Sequence, residues 1–156
     1  DEKIYVLVKP PFLNEDEAIS DALASVDYLR QMGVRYATLC PVRVAPHTLV
    51  GELHDAGHYQ PLNLWSLYEI LSNCPREVQM RVACVNLSQD DFVSVTPVAC
   101  KNCNKRLRDA LGSYQSPADL DSLQICTCHS RPNPQKLRFD LNSDDIQTRM
   151  RSILKI

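Results

Sequence analysis

Four of the chain's seven cysteines fall in two short stretches, "CKNC" at 100–103 and "CTC" at 126–128, separated by 22 residues. Thiolates are soft ligands, and a closely spaced pair lets one stretch of backbone present two sulfurs to one ion. Two such pairs complete the tetrahedron of a structural zinc site. The spacing is therefore read as a zinc site built from Cys100, Cys103, Cys126 and Cys128. His129 is kept as a spare ligand, because the second pair is separated by a single residue. An iron–sulfur cluster is the weaker reading, since its ligand runs are usually more compact. A redox dithiol would use one pair and leave the other unexplained. Unliganded cysteines are the plain alternative. A zinc with four protein ligands has no open position, so it would hold a fold and perform no chemistry.

A second group of candidates stands where strand-like runs end. Lys9 closes the run 4–9, Arg43 follows the run 35–42, and Asn86 lies near the end of the run 79–87. In parallel βα architectures chemistry gathers at the C-terminal ends of strands. Two cations there could meet a carboxylate or phosphate. Each taken singly also reads as a solvated loop residue. His47, His54 and His58 read as surface or capping histidines, since Gly57 interrupts the i, i+4 pair. No Gly-rich phosphate loop, GxSxG or HExxH occurs, so a hydrolase or transferase ranks last and no catalytic residue is assigned.

These residues need a scaffold. "IYVLVK" (4–9) reads as a strand buried on both faces, stopped by Pro10-Pro11. Asn14 and Glu17 form a capping pair for a helix whose apolar positions run from Ala18 to Met32, ended by Gly33. "RYATLCPV" (35–42) is the next strand, which makes a right-handed βαβ unit. A short helix is expected within 47–57 and a stronger one over 61–74, with Pro61 in its first turn. A third strand is expected over 79–87. Past Pro97, short helical stretches are expected near 104–112 and 117–123. The tail 139–156 starts extended and ends in an amphipathic helix capped by Asn142 or Ser143, with Ile146, Met150, Ile153 and Leu154 on one side.

Composition narrows the class. With 44% hydrophobic residues a packed core is expected, and no apolar run is long enough for a membrane helix. Cys40 and Cys84 read as small buried hydrophobes. An odd cysteine count in a chain with a core argues against a secreted disulfide framework and for a reducing cytoplasm. The chain begins Asp-Glu-Lys with neither an initiator Met nor a signal peptide, which reads as a fragment or processed product. Net charge is −2, yet residues 97–138 hold 7 Lys/Arg against 3 Asp/Glu while residues 1–96 hold 7 against 13. The basic segment could guide a polyanion, with a solvated surface as the bland alternative.

The stretches "VLVKPPFLNEDEAI" (6–19), "LCPVRVAPHTLV" (39–50) and "GHYQPLNLWSLYEIL" (57–71), followed by "CKNC" and "CTC", resemble the C-terminal half of an Elongator/MiaB-type radical S-adenosylmethionine (SAM) protein. Within that group the likeness is to the radical subunit of archaeosine synthase and its uncharacterised relatives. It covers about residues 4–130. The resemblance implies the last βα units of a partial (βα)6 barrel, with Lys9 and Arg43 at its mouth near cofactor or substrate. It also implies a [4Fe-4S] cluster and SAM in a full-length relative, acting on a tRNA base or its precursor. The family's Cys-x3-Cys-x2-Cys triplet is absent from this sequence.

The expectation is therefore an α/β chain in three parts. Residues 1–96 form a partial parallel (βα) barrel, 97–130 a four-cysteine zinc module, and 131–156 a loop with a C-terminal strand and helix. Its function is read as a fragment or truncated form of a radical SAM enzyme of tRNA-base modification, inactive alone. The alternative is a non-catalytic, zinc-stabilised RNA- or protein-binding module using Lys101, Lys105, Arg106, Arg108, Arg131, Lys136 and Arg138. Expected partners are tRNA or a nucleobase through the basic 101–138 region, and a subunit or missing half that completes the barrel, with no membrane. An open half-barrel would expose a sheet edge, which calls for such a partner.

Overall fold

A computed structural model describes residues 4–83, 99–127 and 145–155. The elements run β1 (Ile4–Val8), α1 (Glu15–Gln31), β2 (Tyr36–Pro41), α2 (Leu49–Asp55), α3 (Leu64–Asn73), β3 (Gln79–Val82), α4 (Lys101–Gly112), a 3-10 turn (Pro117–Leu120) and α5 (Ile146–Leu154). The three strands form a parallel sheet in the order β1-β2-β3, with Val6 opposite Leu39 and Leu39 opposite Val82.

Sequential strand order and helical crossovers of one hand put successive helices on the same face of a sheet. Here α1 packs on β1 and α3, α3 on α4, and α4 on β3. The covered face supplies Val6, Val8, Ala37, Leu39 and Met80 to the core; α1 adds Ala18, Ala22 and Val26, and α3 adds Leu64, Trp65, Leu67, Ile70 and Leu71. Among the described residues the opposite face is largely exposed. Tyr5 and Leu7 are 60% and 53% exposed, aligned with the half-buried Thr38 and Cys40, and Arg81 stands exposed beside Thr38. This corrects the expectation that the first strand is buried on both faces: among the described residues its apolar run alternates between a helix-covered face and an exposed one. Cys40 is likewise half-buried instead of a core residue, and Cys84 lies outside the described residues.

Local signals placed most ends. Asn14 and Glu17 form the expected reciprocal capping box on α1. In α3 the cap is Asn63, whose side chain accepts from the Trp65 N–H, so Pro61 stands before the helix instead of in its first turn. The third strand is described only through Val82, and the rest of 79–87 lies outside the described residues.

One hydrophobic cluster joins the sheet, α1 and α3 to Cys103, Leu107, Leu111, Tyr114, Leu120 and Leu123, while Leu53 of α2 belongs to a second, smaller cluster with Val42, Val44 and Tyr59. The cysteine-bearing stretch is thus laid against the same core. The C-terminal helix differs from expectation. Asp145 caps it, accepting from the Gln147 and Thr148 N–H groups. Ile146, Met150 and Leu154 are exposed, while Arg149 is buried at 4% exposure.

Candidate metal centre

Helix α4 starts three residues earlier than its sequence pattern suggests, and this sets the site. Cys100 is its N-cap residue and Cys103 sits in its first turn, 1% exposed. The Cys103 and Asn104 N–H groups both donate to the Cys100 carbonyl at 2.9 Å. The Asn104 side chain accepts from the Ala99 N–H at 3.3 Å, fixing the chain just ahead of the first cysteine. The other N–H groups of a helix start and its dipole favour negative charge, here thiolate, at this position.

The 22 residues between the pairs are ordered. After α4, Pro117 opens the 3-10 turn, whose Asp119 accepts from the Gln115 and Ser116 N–H groups at 2.8 and 2.9 Å. These contacts hold the Asp119 carboxyl below its ordinary value. Leu120 and Leu123 then plug into the core and return the chain to Cys126.

The Sγ atoms of Cys100, Cys103 and Cys126 lie within 4.8 Å of one another, with Cys100 and Cys126 at 4.0 Å. A disulfide requires about 2.05 Å. Two sulfurs on one tetrahedral zinc, each bonded at about 2.3 Å, stand about 3.8 Å apart. The Cys100–Cys126 pair is close to that separation and the Cys103 sulfur is gathered within 4.8 Å of both, a soft donor set that could hold a metal ion. Cys128 and His129 lie outside the described residues.

Arg106 closes the arrangement. It is one turn beyond Cys103, and its Nη2 reaches both Cys103 Sγ (4.0 Å) and the Gln124 carbonyl (2.7 Å). Neither sequence spacing nor charge singled out this bridge, because Arg106 reads as one of several basic residues until the loop 124–126 is placed beside it.

The strand-end candidates are distributed differently. Lys9 is 6% exposed and its ammonium is paired with Glu15. Glu15 also accepts from the Asn63 N–H (2.7 Å) and the Ser66 hydroxyl (2.6 Å), so one carboxylate joins the end of β1 to the starts of α1 and α3. The buried Tyr59 hydroxyl donates to the Lys9 carbonyl at 2.8 Å. Burial, with Glu15 nearby, pushes the Tyr59 hydroxyl well above its ordinary pKa. Arg43 is half-buried just past β2, and Asn86 lies outside the described residues. Lys9, Phe12 and His47 have left-handed backbones, φ 56°, 75° and 58°. All three stand in the loops leaving the C-terminal ends of β1 and β2. Such strain in residues other than glycine is held only where surrounding contacts dictate it.

In an alignment of 136 positions that covers 81% of its length, the chain is 32% identical to archaeosine synthase subunit beta of Methanosarcina acetivorans. Over 129 residues it is 27% identical to the uncharacterized protein MJ0550 of Methanocaldococcus jannaschii. The chain is homologous to both. It spans about a third of the length of these curated relatives, 36% and 35%. No protein-family model matches the chain, and no solved structure matches it.

The cysteines stand at 40, 74, 84, 100, 103, 126 and 128, with no Cys-x3-Cys-x2-Cys among them. This chain's own residues do not fit a [4Fe-4S] cluster held by that triplet, and no chemistry through such a cluster is assigned to them. No described helix is long and apolar enough to cross a membrane.

Proposed function

We propose that this chain is the C-terminal portion of a radical SAM protein that modifies tRNA in the manner of archaeosine synthesis. The observation that carries the reading is homology to an archaeosine synthase subunit over 81% of the chain. The sheet supports it. Three parallel strands with helices on one face and Tyr5, Leu7 and Arg81 bare on the other are what an arc of a (βα) barrel would present, with the bare face toward the barrel interior. In this reading the two carboxyl-end cations have different work. Lys9, through Glu15, Asn63 and Ser66, shapes the mouth of the barrel. Arg43 and Asn86 are the candidates for direct contact with an anionic group of substrate or cofactor. The remaining half, or a partner subunit, supplies the cluster-binding cysteines. The chain alone, acting in a reducing cytoplasm, does not carry out radical chemistry.

The cysteine group is read as structural zinc held by Cys100, Cys103, Cys126 and Cys128. Supporting this are three sulfurs gathered at one helix start and a fourth cysteine two residues from Cys126. When bound, the metal supplies cross-linking and no reaction step. The protein residues bring the thiolates together: Cys103 from the core side of α4, Cys100 from its cap, Cys126 from the returning loop.

Two measurements test the reading. The coding sequence upstream of Asp1 should carry a Cys-x3-Cys-x2-Cys triplet, and the complete protein, reconstituted anaerobically with iron and sulfide, should cleave SAM to 5′-deoxyadenosine. An upstream sequence without the triplet, or a cluster-bearing protein that leaves SAM intact, overturns it. A second reading, a non-catalytic zinc-stabilised module that binds RNA, draws on the exposed Lys101 and Lys105 of α4 within the basic 97–138 stretch. It expects salt-dependent tRNA binding by this chain alone, abolished when those side chains are neutralised; binding absent at low salt removes it.

A further inference from the structure

The bridge made by Arg106 carries an inference about the metal centre itself, and it rests on the reading of the cysteine group as a metal site. Two facts make the contact specific. Arg106 and Cys103 are three residues apart on α4, so they share one face of the helix. The nearby carboxylate Asp109, which could have drawn the guanidinium away, is instead taken by Lys105 at 3.0 Å. Arg106 points the other way, and one nitrogen with two N–H groups meets two acceptors, a sulfur from the first cysteine pair and a carbonyl two residues before the second.

The three gathered thiolates alone, those of Cys100, Cys103 and Cys126, would leave a divalent ion with a net charge of about −1. Cys103 is the sulfur with least access to water. A buried anionic sulfur needs a donor or cation to replace lost hydration, and hydrogen bonds from outside the ligand set commonly orient and stabilise the ligands. We propose that Arg106 is a positioning residue of the metal centre. By this proposal it donates one hydrogen bond to the Cys103 thiolate and another to the Gln124 carbonyl, so that it both offsets ligand charge and locks the Cys126 loop in ligating register.

The test uses cobalt(II) as a spectroscopic stand-in for zinc, on the whole chain, in wild type, Arg106→Gln, Arg106→Lys and a control, Arg30→Gln, which removes a cation paired with Asp27 on α1. Retention is read by competition with a chromophoric chelator, and sulfur character by the thiolate-to-cobalt charge-transfer band. A hydrogen bond to a ligand sulfur lowers the energy of its lone pairs and raises the transition energy, so losing the bond moves the band to longer wavelength. Expected for Arg106→Gln is about 10–100-fold weaker retention, the usual loss for a residue supporting a metal ligand, with a red-shifted band. Arg106→Lys keeps the charge but not the fork, so it should fall between; Arg30→Gln should match wild type. If Arg106→Gln does not fold, Arg106→Lys is the deciding variant by the same two readouts. Failure of the wild-type chain to bind cobalt or zinc refutes the metal reading and this inference with it. Wild-type binding with an unmoved band in the Arg106 variants refutes the sulfur contact alone, and unchanged retention refutes the locking role.

Discussion

Arg149, near the end of the chain, lies buried against Glu17 in the first turn of α1. Its Nη1 donates to Glu17 Oε2 at 2.8 Å and to the Phe12 carbonyl at 2.7 Å, and its Nη2 donates to Glu17 Oε1. A planar fork meeting a carboxylate on both oxygens is the strongest form of ion pair, and it also satisfies a carbonyl in the strained loop after β1. The C-terminal helix is therefore fastened by a buried cation together with Ile153, the one member of the expected apolar stripe that packs on Val42, Val44, Leu53 and Tyr59.

Arg149→Ala should loosen α5 and destabilise the chain. Breaking a buried pair from one side costs about 3–5 kcal/mol, and because Glu17 is half-exposed the expected loss is roughly 1–3 kcal/mol. Urea unfolding measures it; an unchanged midpoint would show that the pair contributes nothing. The pH dependence has a definite sign. The Arg149 hydrogen bond holds the Glu17 carboxyl below its ordinary 4.5, against a smaller upward push from burial. Its contribution is complete above that ordinary value and fades as pH falls through the lowered one. The wild-type and Arg149→Ala stability curves should therefore converge in acid.

For Lys9 the prediction separates two roles. Glu15→Gln leaves an ammonium buried without its counter-charge and should cost about 3–5 kcal/mol. Lys9→Met with Glu15→Gln together should recover most of that loss, because an apolar stem replaces a buried charge facing a neutral amide. If the complete protein then keeps wild-type substrate affinity, Lys9 shapes the loops at the C-terminal end of the sheet; a large loss of affinity in the stable double variant would make it a ligand contact.

Metal content should respond unequally to the cysteines. Wild type should carry about one zinc per chain by elemental analysis, and Cys100→Ser, Cys103→Ser, Cys126→Ser and Cys128→Ser should each lose it or hold it far more weakly. Cys40→Ser and Cys74→Ser should keep it. Full zinc retention in Cys128→Ser together with loss in His129→Ala would move the fourth ligand to the histidine.

Thiol chemistry gives an independent check. Burial pushes the Cys74 thiol up to about 11. Only the thiolate alkylates, so at pH 8 Cys74 should react about 100-fold more slowly than an ordinary exposed cysteine. Mass spectrometry after iodoacetamide treatment should find Cys74 and the buried Cys103 largely unmodified, and the half-buried Cys100 and Cys126 protected only while metal is bound. Rapid labelling of Cys74 would mean that the packing around α3 and Tyr114 is looser than described.

Much of this was legible before any coordinates. The capping pair Asn14 and Glu17, the helical spacing from Ala18, and the short links around Gly33 each carry their own local physics, so α1 and the flanking strands emerge from sequence. The cysteine pairs were equally plain, because ligand spacing is a local property. What was hidden depends on distant partners. Nothing near Arg149 announces that Glu17 will cover it, and the stripe of Ile146, Met150 and Leu154 points to the wrong face. Lys9 reads as a free strand-end cation because Glu15, Asn63 and Ser66 meet it only after folding. The strand 4–8 reads as doubly buried because its apolar run says nothing about whether a second layer is present.

Cys103 and Val6 belong to one buried cluster, although the first lies on the ligand-bearing helix and the second on the opening strand. If the cysteine group holds zinc as proposed, metal becomes a chemical potential acting on the whole chain. An ion that binds only the folded state at 100 times its dissociation constant adds about 2.7 kcal/mol to global stability. Trp65, 1% exposed within that cluster and the chain's single tryptophan, then becomes a remote gauge of metal supply, its fluorescence melting point rising with the logarithm of free zinc. A cell starved of the ion would register the shortage as a lower abundance of folded protein, with the sheet and the cysteine site melting in one transition.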